Sequence, residues 1–409
     1  MKSKNSGGGQ RFEMGSDSKI VPFHKSDVEA GPVASKYFRR DTFQPNTEAE
    51  RAILGLVLRR GPITQLEIAS EVDRSQQTVS RLIARLIDRG SLRQGERISS
   101  GKRGQLSTSI EIVPDYAYSF GVAILWDALA VTVMDFSGAI LDQRSTVMTL
   151  MTHDDVVDAL RSMIDELSEQ WIPDESRIFG VGVGIPGTFM RETRQLNTPL
   201  ILEEWANMDI EAVLEDDLGL PVWIENDGNA AAIGESLVGV GRWAKDFVYL
   251  YIATGLGGGV ILDGDLVRGQ YGNAGEVAQL LPPGIYPHPN LELLRKLVCK
   301  HGQNIDTVSE LVDNFDVNGP GVDEWLAQVR DSLSLIVSAA AALLDPQVIV
   351  IGGRIPHSLA EKIIPHIEIY DQRRRSDSRP LPKTVVAEAV GDSAAIGAAA
   401  LILNGYFFS

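Results

Sequence analysis

The residues PVWIENDGN at 221–229 and YIATGLGGGVILDGDLVRGQYGNAGE at 251–276 decide the fold of this chain. The first stretch places the carboxylate of Asp227 directly after an apolar strand, and the second is a glycine-rich hairpin. A carboxylate at a strand end beside a glycine-rich turn is typical of clefts that bind sugars or transfer phosphoryl groups. The two stretches therefore predict an α/β fold built around a ligand cleft.

Strands alternate with helices on both sides of these motifs. Predicted strands are RIFGVGVGIPG, PVWIEND, the hairpin FVYLYIATGLGGGVIL and VIVIGG, and predicted helices are VDALRSMIDELSEQW, VDEWLAQVRDSLSLIVSAAAALL and the closing DSAAIGAAALIL. Two α/β lobes of similar plan predict an actin-like ATPase arrangement, in which a cleft between the lobes closes on a ligand.

The chain before residue 114 has a different pattern. TEAERAILGLVLRR at 47–60 predicts a helix with one apolar face, Thr64 and Glu67 have the spacing of a capping box, and Ser75 is the predicted N-cap of a third helix. SLRQGERISSGKRGQLSTSIEIVP then predicts two strands around a basic tip. Three helices followed by such a hairpin predict a winged helix-turn-helix.

This front region carries the expected DNA contacts. In the usual docking the start of the third helix faces the major groove, where Gln pairs with adenine and Arg with guanine. The residues expected there are Ser75, Gln76, Gln77, Thr78 and Arg81. Lys102 and Arg103 at the wing tip are expected to reach phosphates or the minor groove. A purely structural three-helix cluster is the alternative, and the basic wing favours DNA binding.

The charge is unevenly distributed. Residues 1–113 hold 19 Lys and Arg against 13 Asp and Glu, whereas the rest holds 19 against 42. A mildly basic front on an acidic body suits a small DNA reader, because affinity for the duplex depends on the local contact surface. Residues 1–45, rich in Gly, Ser, Lys and Asp, are predicted to be a flexible tail.

Targeting signals and cysteines indicate where the protein is located and which covalent links or metal sites it can form. We find no uninterrupted apolar run of about 20 residues and no signal peptide, so a cytoplasmic location without a membrane partner is expected. Cys299 is the single cysteine. It excludes internal disulfides and a multi-cysteine zinc site.

Taken together, the motifs resemble the ROK family, which groups bacterial sugar kinases with transcriptional regulators of sugar metabolism. The resemblance covers about residues 46–409 and is carried by GVGIPG, END, ATGLGGG, GNAGE, DPQVIVIGG and GDSAAIGAAA. It implies a winged helix-turn-helix at 46–113, an N-terminal lobe at 114–236 completed by a C-terminal helix at 391–409, and a C-terminal lobe at 237–390.

The resemblance also implies the sugar-binding residues. Asp227, with Asn226 beside it, corresponds to the Asp that contacts a sugar hydroxyl and acts as the base in kinases of the family. Glu276 matches a sugar-contacting Glu, and Glu292 is a candidate for a second. The alternatives are that Asp227 is a helix N-cap and that Glu292 is an exposed helix carboxylate.

Two departures from the family concern metal and nucleotide. Gln279 stands where the family commonly has a His that contacts a structural zinc, and the zinc cysteines are absent, so no metal is expected. Ala123, Leu125 and Trp126 stand where the kinases have an Asp for magnesium and glycines for phosphate. The second phosphate loop of the kinases corresponds to the glycine-rich hairpin, which keeps glycines at 255, 257, 258 and 259. These glycines serve either to bind nucleotide or, as the preferred interpretation, to form hairpin turns that need positive φ. Neither a cofactor nor catalysis is therefore expected.

The sequence thus favours a transcriptional repressor that binds a double-stranded operator as a homodimer or homotetramer and senses a sugar or sugar derivative through a catalytically silent ROK domain. An active sugar kinase that also binds DNA is the first alternative, and the loop at 123–127 argues against it. A DNA-binding protein whose body is only a scaffold is the second. The polar Asn226, Asp227 and Glu276 argue against that.

Overall fold

The computed structural model describes residues 45–99, 106–190, 195–371 and 380–408. The predicted tail before Pro45 and the wing-tip residues Lys102 and Arg103 lie outside these ranges. The first described elements are three helices and three strands: α1 (Glu48–Arg60), β1 (Ile63–Thr64), α2 (Gln65–Glu71), α3 (Gln76–Asp88), β2 (Leu92–Ser99) and β3 (Leu106–Ile112). The strands form one sheet in the order β1-β3-β2. This is the predicted winged helix-turn-helix.

The helix starts in this region follow from local hydrogen bonding. Thr64 Oγ1 accepts the Glu67 amide at 3.3 Å, and Glu67 Oε2 accepts the Thr64 amide at 2.9 Å, which confirms the capping box. Ser75 Oγ accepts the Thr78 amide at 3.2 Å, which confirms Ser75 as the N-cap of α3. Such caps satisfy backbone donors that the first helical turn leaves unpaired.

A five-stranded sheet forms the core of the N-terminal lobe, in the order β10-β7-β4-β5-β6. The elements in chain order are β4 (Tyr118–Ile124), β5 (Ala128–Asp135), β6 (Ile140–Val147), α4 (His153–Trp171), β7 (Ile178–Ile185), β8 (Thr188–Phe189), β9 (Leu196–Asn197), α5 (Ile210–Leu218), β10 (Val222–Asn226) and α6 (Asp227–Val238). β4, β5 and β6 form an antiparallel meander, and β7 and β10 add in parallel. The parallel strands end at the cleft.

The C-terminal lobe repeats this plan with the order β13-β12-β11-β14-β15. Its elements are β11 (Phe247–Ile252), β12 (Leu256–Leu262), β13 (Asp265–Leu266), α7 (Leu291–Lys300), α8 (Val308–Asp313), α9 (Val322–Leu344), β14 (Val348–Gly353), α10 (His357–Ile363) and β15 (Lys383–Val386). β11, β12 and β13 are again an antiparallel meander, and β14 and β15 add in parallel. The two lobes share the predicted α/β actin-like architecture.

The closing helix α11 (Ser393–Leu403) returns to the N-terminal lobe and packs on β4, β7 and α6. Its contact with α6 is between backbones, since a Cβ added at Gly397 would lie 1.5 Å from the Ala230 carbonyl oxygen. Residues 404–408 continue from α11 and pack against α1. Phe407 is buried between Phe136 and Phe179, with ring centroids 4.8 Å from each. The winged helix-turn-helix and the N-terminal lobe therefore share one apolar cluster.

Helix α9 is long and apolar enough to cross a membrane by length and composition. However, 50% of its most apolar window is buried inside the lobe, where Trp325 and Leu333 belong to the core. A buried core helix passes the same hydropathy test as a membrane span, so these contacts favour the core assignment. The expected absence of a membrane partner stays a prediction.

Candidate functional site

A cavity of about 470 Å³ lies between the lobes. Its volume falls in the range of roughly 300–1,000 Å³ that is usual for small-molecule sites. Polar side chains from both lobes line it: Asn226, Asp227, Glu276, Gln279 and Arg354. The structure therefore brings three of the four expected sugar-binding residues to one cavity.

Asn226 and Asp227 stand where β10 passes into α6. Asn226 is the N-cap, because its Oδ1 accepts the amides of Gly228 at 2.9 Å and Asn229 at 3.1 Å. Its Nδ2 donates to the Gly187 carbonyl at 2.9 Å. Asp227 is the first residue of the helix, and its Oδ1 accepts the Gly228 amide at 2.9 Å. The capping role considered for Asp227 thus belongs to Asn226, and the Asp227 carboxyl lines the cavity.

The two acids of the cavity bind protons more tightly than ordinary carboxyls. Burial, reinforced by the nearby charges of Glu276 and Asp392, raises the pKa of Asp227 from 3.8 to about 7. Burial also raises the pKa of Glu276. Removing water from around a carboxylate disfavours its charged form, as do like charges nearby. Asp227 is therefore poised to gain or lose a proton near neutral pH.

Interlobe contacts position the loop that carries Glu276. Asn273 Oδ1 accepts the Phe189 amide at 2.7 Å, and Asn273 Nδ2 donates to the Phe189 carbonyl at 2.9 Å. Buried Glu225, next to the site residues, forms an ion pair with Arg268 of the C-terminal lobe. The GNAGE loop is therefore tied by hydrogen bonds to the lobe that supplies Asp227.

Tyr251 is a polar residue of this cavity that no sequence motif indicated. Its side chain is 2% exposed and lines the cavity, yet its hydroxyl has no hydrogen-bond partner. A buried hydroxyl without a partner is costly, by about 1–3 kcal/mol, and calls for an explanation such as a ligand. No signal in the sequence separates this Tyr from Tyr249 two residues earlier, whose hydroxyl accepts the Gly353 amide.

Glu292 is not brought to the cavity. It lies in the first turn of α7, and its carboxylate accepts hydrogen bonds from Arg295 Nε at 2.8 Å and Arg295 Nη2 at 2.9 Å. Lys296 Nζ lies 3.3 Å from Glu292 Oε1. Hydrogen bonds from Arg295, with both positive charges, hold the pKa of Glu292 below its ordinary value. The geometry matches the alternative of a helix carboxylate, because its oxygens are satisfied within its own helix.

The turn between β4 and β5, where the family resemblance places the first phosphate loop, lines one side of the cavity. Ala123 is buried inside β4, and the side chains of Leu125 and Trp126 line the cavity. None of the three can coordinate magnesium. Asp127, a carboxylate in the same turn that no sequence motif indicated, accepts hydrogen bonds from Arg354 and Ser309.

Packing explains two of the four glycines of the second loop, Gly258 and Gly259. None of Gly255, Gly257, Gly258 and Gly259 has positive φ, so the expected hairpin-turn explanation is wrong. A Cβ at Gly258 would lie 2.7 Å from the Tyr249 carbonyl oxygen, and one at Gly259 would lie 2.6 Å from the Ala232 Cβ. Gly255 and Gly257 line the cavity and have room for a side chain.

The residues described in the structure contain no group of three or more His, Cys, Asp and Glu side chains arranged to hold a metal ion. Gln279 lines the cavity at the position where the family resemblance places a His. An amide is a hydrogen-bonding group and a poor zinc ligand, since zinc sites use His, Cys and carboxylates. Gln279 is therefore better suited to a ligand hydroxyl.

The expected DNA-reading face lies at the exposed start of α3. Gln76, Gln77 and Arg81 are exposed. Ser75 Oγ and Thr78 Oγ1 are 2.9 Å apart and share a hydrogen bond, so these hydroxyls serve the cap as well as the surface. Buried Val79, Leu82 and Leu86 hold the opposite face of the helix against the domain. The amphipathic pattern of α3 therefore leaves its polar side open to a duplex.

Comparison with known proteins agrees with both parts of this description. The model of the ROK family matches residues 120–283, and a model of winged helix-turn-helix DNA-binding domains matches residues 47–92. A xylose repressor of Caldicellulosiruptor bescii is 29% identical over 335 residues, which are 74% of this chain and 82% of the repressor. A glucokinase of Halalkalibacterium halodurans is 28% identical over 233 residues, 50% of this chain and 70% of the kinase.

A crystal structure of a ROK family transcriptional regulator, a homologue of the E. coli MLC protein, superposes with a TM-score of 0.62. The match covers 88% of this chain and 96% of that chain at 20% identity, so it supports the fold alone. The winged helix-turn-helix match covers the three-helix front, and the ROK match covers the N-terminal lobe and the start of the C-terminal lobe. The chain therefore carries a ROK family domain joined to an N-terminal winged helix-turn-helix DNA-binding domain.

Proposed function

We propose that this protein is a cytoplasmic transcriptional repressor that binds a double-stranded operator and responds to a sugar or sugar derivative held in the cleft. The proposal rests on one observation. The same chain has an exposed helix suited to reading DNA and a polar cavity lined by Asp227, Glu276 and Tyr251. The similarity to a xylose repressor supports both the sugar and the sign of regulation.

The polar side chains that line the cavity are suited to binding a polyhydroxyl compound. The Asp227 and Glu276 carboxyls accept hydrogen bonds from hydroxyls, while Asn226 and Gln279 offer amides and Tyr251 offers an unpaired hydroxyl. Sites for small polar ligands combine a few such groups with an apolar wall, which Leu125 and Trp126 provide here. Asn226, Asp227, Glu276, Gln279 and Tyr251 are thus the proposed sugar-binding residues.

A continuous packed route joins this cavity to the DNA-reading region. Asp227 begins α6, α6 packs backbone to backbone on α11, and residues 404–408 beyond α11 pack against α1. A ligand changes DNA affinity only if it binds two conformations unequally, and a ~100-fold preference corresponds to about 2.7 kcal/mol. A shift of α6 on ligand binding would pass through this route to α1.

DNA binding by a helix-turn-helix protein commonly uses a two-fold axis with matching half-sites. We therefore propose that the repressor acts as a homodimer or homotetramer on a roughly palindromic operator. Ser75, Gln76, Gln77, Thr78 and Arg81 would contact the major groove, with Lys102 and Arg103 reaching the flanking backbone or minor groove.

The ROK domain is proposed to be catalytically silent. An active sugar kinase remains the alternative, supported by the similarity to a glucokinase. Against it, Ala123, Leu125 and Trp126 supply neither a magnesium ligand nor room for the backbone to approach phosphate. We expect no ATP hydrolysis or sugar phosphorylation above background. Sugar-dependent turnover that disappears in Asp227→Asn would establish the kinase instead.

Two binding measurements test the sensor. Selection from random duplexes identifies an operator, and thermal shift with D-xylose, D-glucose and N-acetylglucosamine identifies a ligand, because a ligand at 100 times its Kd stabilises by about 2.7 kcal/mol. Asp227→Ala and Glu276→Ala should each weaken that ligand at least tenfold, since a hydrogen bond to a charged group contributes about 1.5–3 kcal/mol. Operator affinity without ligand should be unchanged.

Glu292→Gln provides the matched control, because this acid lies outside the cavity and should leave ligand affinity unchanged. If Asp227→Ala and Glu276→Ala instead lose operator binding and thermal stability together, the carboxyls are structural. The proposal of a sugar sensor would then lose its support.

A further inference from the structure

Asp127, in the turn between β4 and β5, contacts the opposite lobe. Its Oδ1 lies 3.0 Å from Arg354 Nη1, and its Oδ2 accepts the Ser309 amide at 2.9 Å. Arg354 Nη2 also donates to Ser309 Oγ at 2.8 Å. The N-terminal lobe supplies Asp127, while Arg354 follows β14 and Ser309 lies in α8. These three residues form what we call the Asp127–Arg354 bridge.

The bridge is largely removed from water. The side chains of Arg354 and Asp127 are 12% and 17% exposed. Burial alone would raise the pKa of Asp127, but the charge of Arg354 and the hydrogen bonds from Ser309 hold it below its ordinary value. Both partners are therefore charged, and removing either one leaves the other as an uncompensated charge in a partly buried site.

The bridge lies between two cavities. The first is the one lined by Asp227 and Glu276, and the second, of about 520 Å³, is lined by Gln143, Ser309 and Asp392. Leu125 and Arg354 line both. Arg354 therefore lies at the boundary of the two cavities, and Asp127, which lines neither of them, holds it there by the hydrogen bond across the lobes.

The charges around both cavities disfavour a polyphosphate. Of the described residues that line either cavity, Arg354 and Arg144 are the cations. Arg354 is engaged by Asp127, and Arg144 contacts Glu166 at 2.5 Å and Asp142 at 3.6 Å. Phosphate groups are bound by available cations and backbone amides, and a carboxylate beside them repels them.

We propose that Asp127 and Arg354 are specificity determinants of the cleft: their interlobe bridge keeps the two cavities apart, so the cleft takes a ligand contained in the first cavity and rejects a nucleoside triphosphate. A triphosphate chain running from the second cavity toward Asp227 would have to pass through the bridge and alongside the Asp127 carboxylate. The proposal rests on the proposed function only in assigning the first cavity to a sugar.

The chemistry of the bridge predicts an asymmetric response to mutation. Asp127→Ala opens the boundary between the cavities and releases the Arg354 cation, so it should bind Mg·ATP at least tenfold more tightly than the wild type in isothermal titration calorimetry. Arg354→Ala opens the same boundary but leaves the Asp127 carboxylate, so it should show no gain. The control is Asp217→Ala, which removes an acid of similar exposure that pairs with His153 and Arg161 away from the cleft.

Three outcomes would overturn the proposal: wild-type protein that binds Mg·ATP as tightly as Asp127→Ala, equal gains in Asp127→Ala and Arg354→Ala, or no gain in either. If Asp127→Ala does not fold, Asp127→Ser also shortens the side chain and removes the charge, and the same comparison applies to it. The titration contains neither sugar nor DNA. A failure of sugar sensing therefore leaves this test intact, and a failure here leaves the sensor proposal standing.

Discussion

Replacing Asp227 with Asn should stabilise the protein in a manner that depends on pH. The folded protein holds this carboxyl at 9% exposure with its pKa raised from 3.8 to about 7, mainly by burial. Between these two values the folded state keeps a proton that the unfolded chain has released. The free energy of unfolding therefore falls as pH rises through this window, because the folded state binds more protons there.

The size of the effect follows from the shift. One pKa unit corresponds to about 1.4 kcal/mol, so a shift of about three units costs the wild type roughly 4 kcal/mol at pH 8. At pH 5 the folded carboxyl is protonated, and the cost is below about 2 kcal/mol. Asn has nearly the same shape, can accept the Gly228 amide hydrogen bond and carries no charge. Asp227→Asn should therefore be more stable than the wild type by these amounts.

Urea unfolding of the wild type and the variant at pH 5 and pH 8 measures the two differences. Comparison at equal pH cancels the titration of the groups that do not interact with Asp227. Asp165→Asn, which removes one charge on the exposed face of α4, is the control and should stay within about 0.5 kcal/mol of the wild type at both values.

A stability difference of equal size at pH 5 and pH 8 would refute the reasoning, as would a variant that is less stable than the wild type at pH 8. Either result would mean that the Asp227 carboxylate is well solvated or well paired in the folded protein. The site would then lack the buried acid on which its expected sensitivity to pH depends.

Three further outcomes are expected. Affinity for the sugar identified by thermal shift should be about tenfold weaker at pH 6 than at pH 8. The Asp227 carboxyl, with a pKa of about 7, is only about a tenth ionised at pH 6, and the ionised form accepts the sugar hydroxyl. Equal Kd values at the two pH values in calorimetry would contradict this. Tyr251→Phe should weaken the same sugar several-fold without lowering the melting temperature, since its hydroxyl has no protein partner, and a lower melting temperature would mark it as structural. Arg81→Ala should cost about 1–3 kcal/mol of binding free energy on the selected operator and relax the preference for its bases. Lys102→Ala should instead weaken binding to all duplexes and reduce the salt dependence of binding. If Arg81→Ala loses equal affinity for operator and random DNA, Arg81 does not read bases.

The local features of this protein could be predicted from its sequence because they depend on neighbours a few residues apart. Thr64 with Glu67 and Ser75 with Thr78 form their caps within one helical turn. The period of apolar residues gave the amphipathic face of α3 in the same way. The family motifs added the fold class and the pair Asp227 and Glu276, of which Asp227 directly follows β10 and Glu276 lies in the loop after β13.

The tertiary structure decided what depends on residues far apart in the chain. Asp127 and Arg354 are separated by 227 residues, and no local pattern indicates that they pair. Gly258 and Gly259 are required because Tyr249 and Ala232 pack too close to them to leave room for a Cβ. The Tyr251 hydroxyl is unpaired because no polar group of the described structure lies within hydrogen-bonding distance. Sequence spacing reports on helices, strands and caps. Which charges meet across the cleft, and which polar groups are left for a ligand, is determined only when the two lobes pack together.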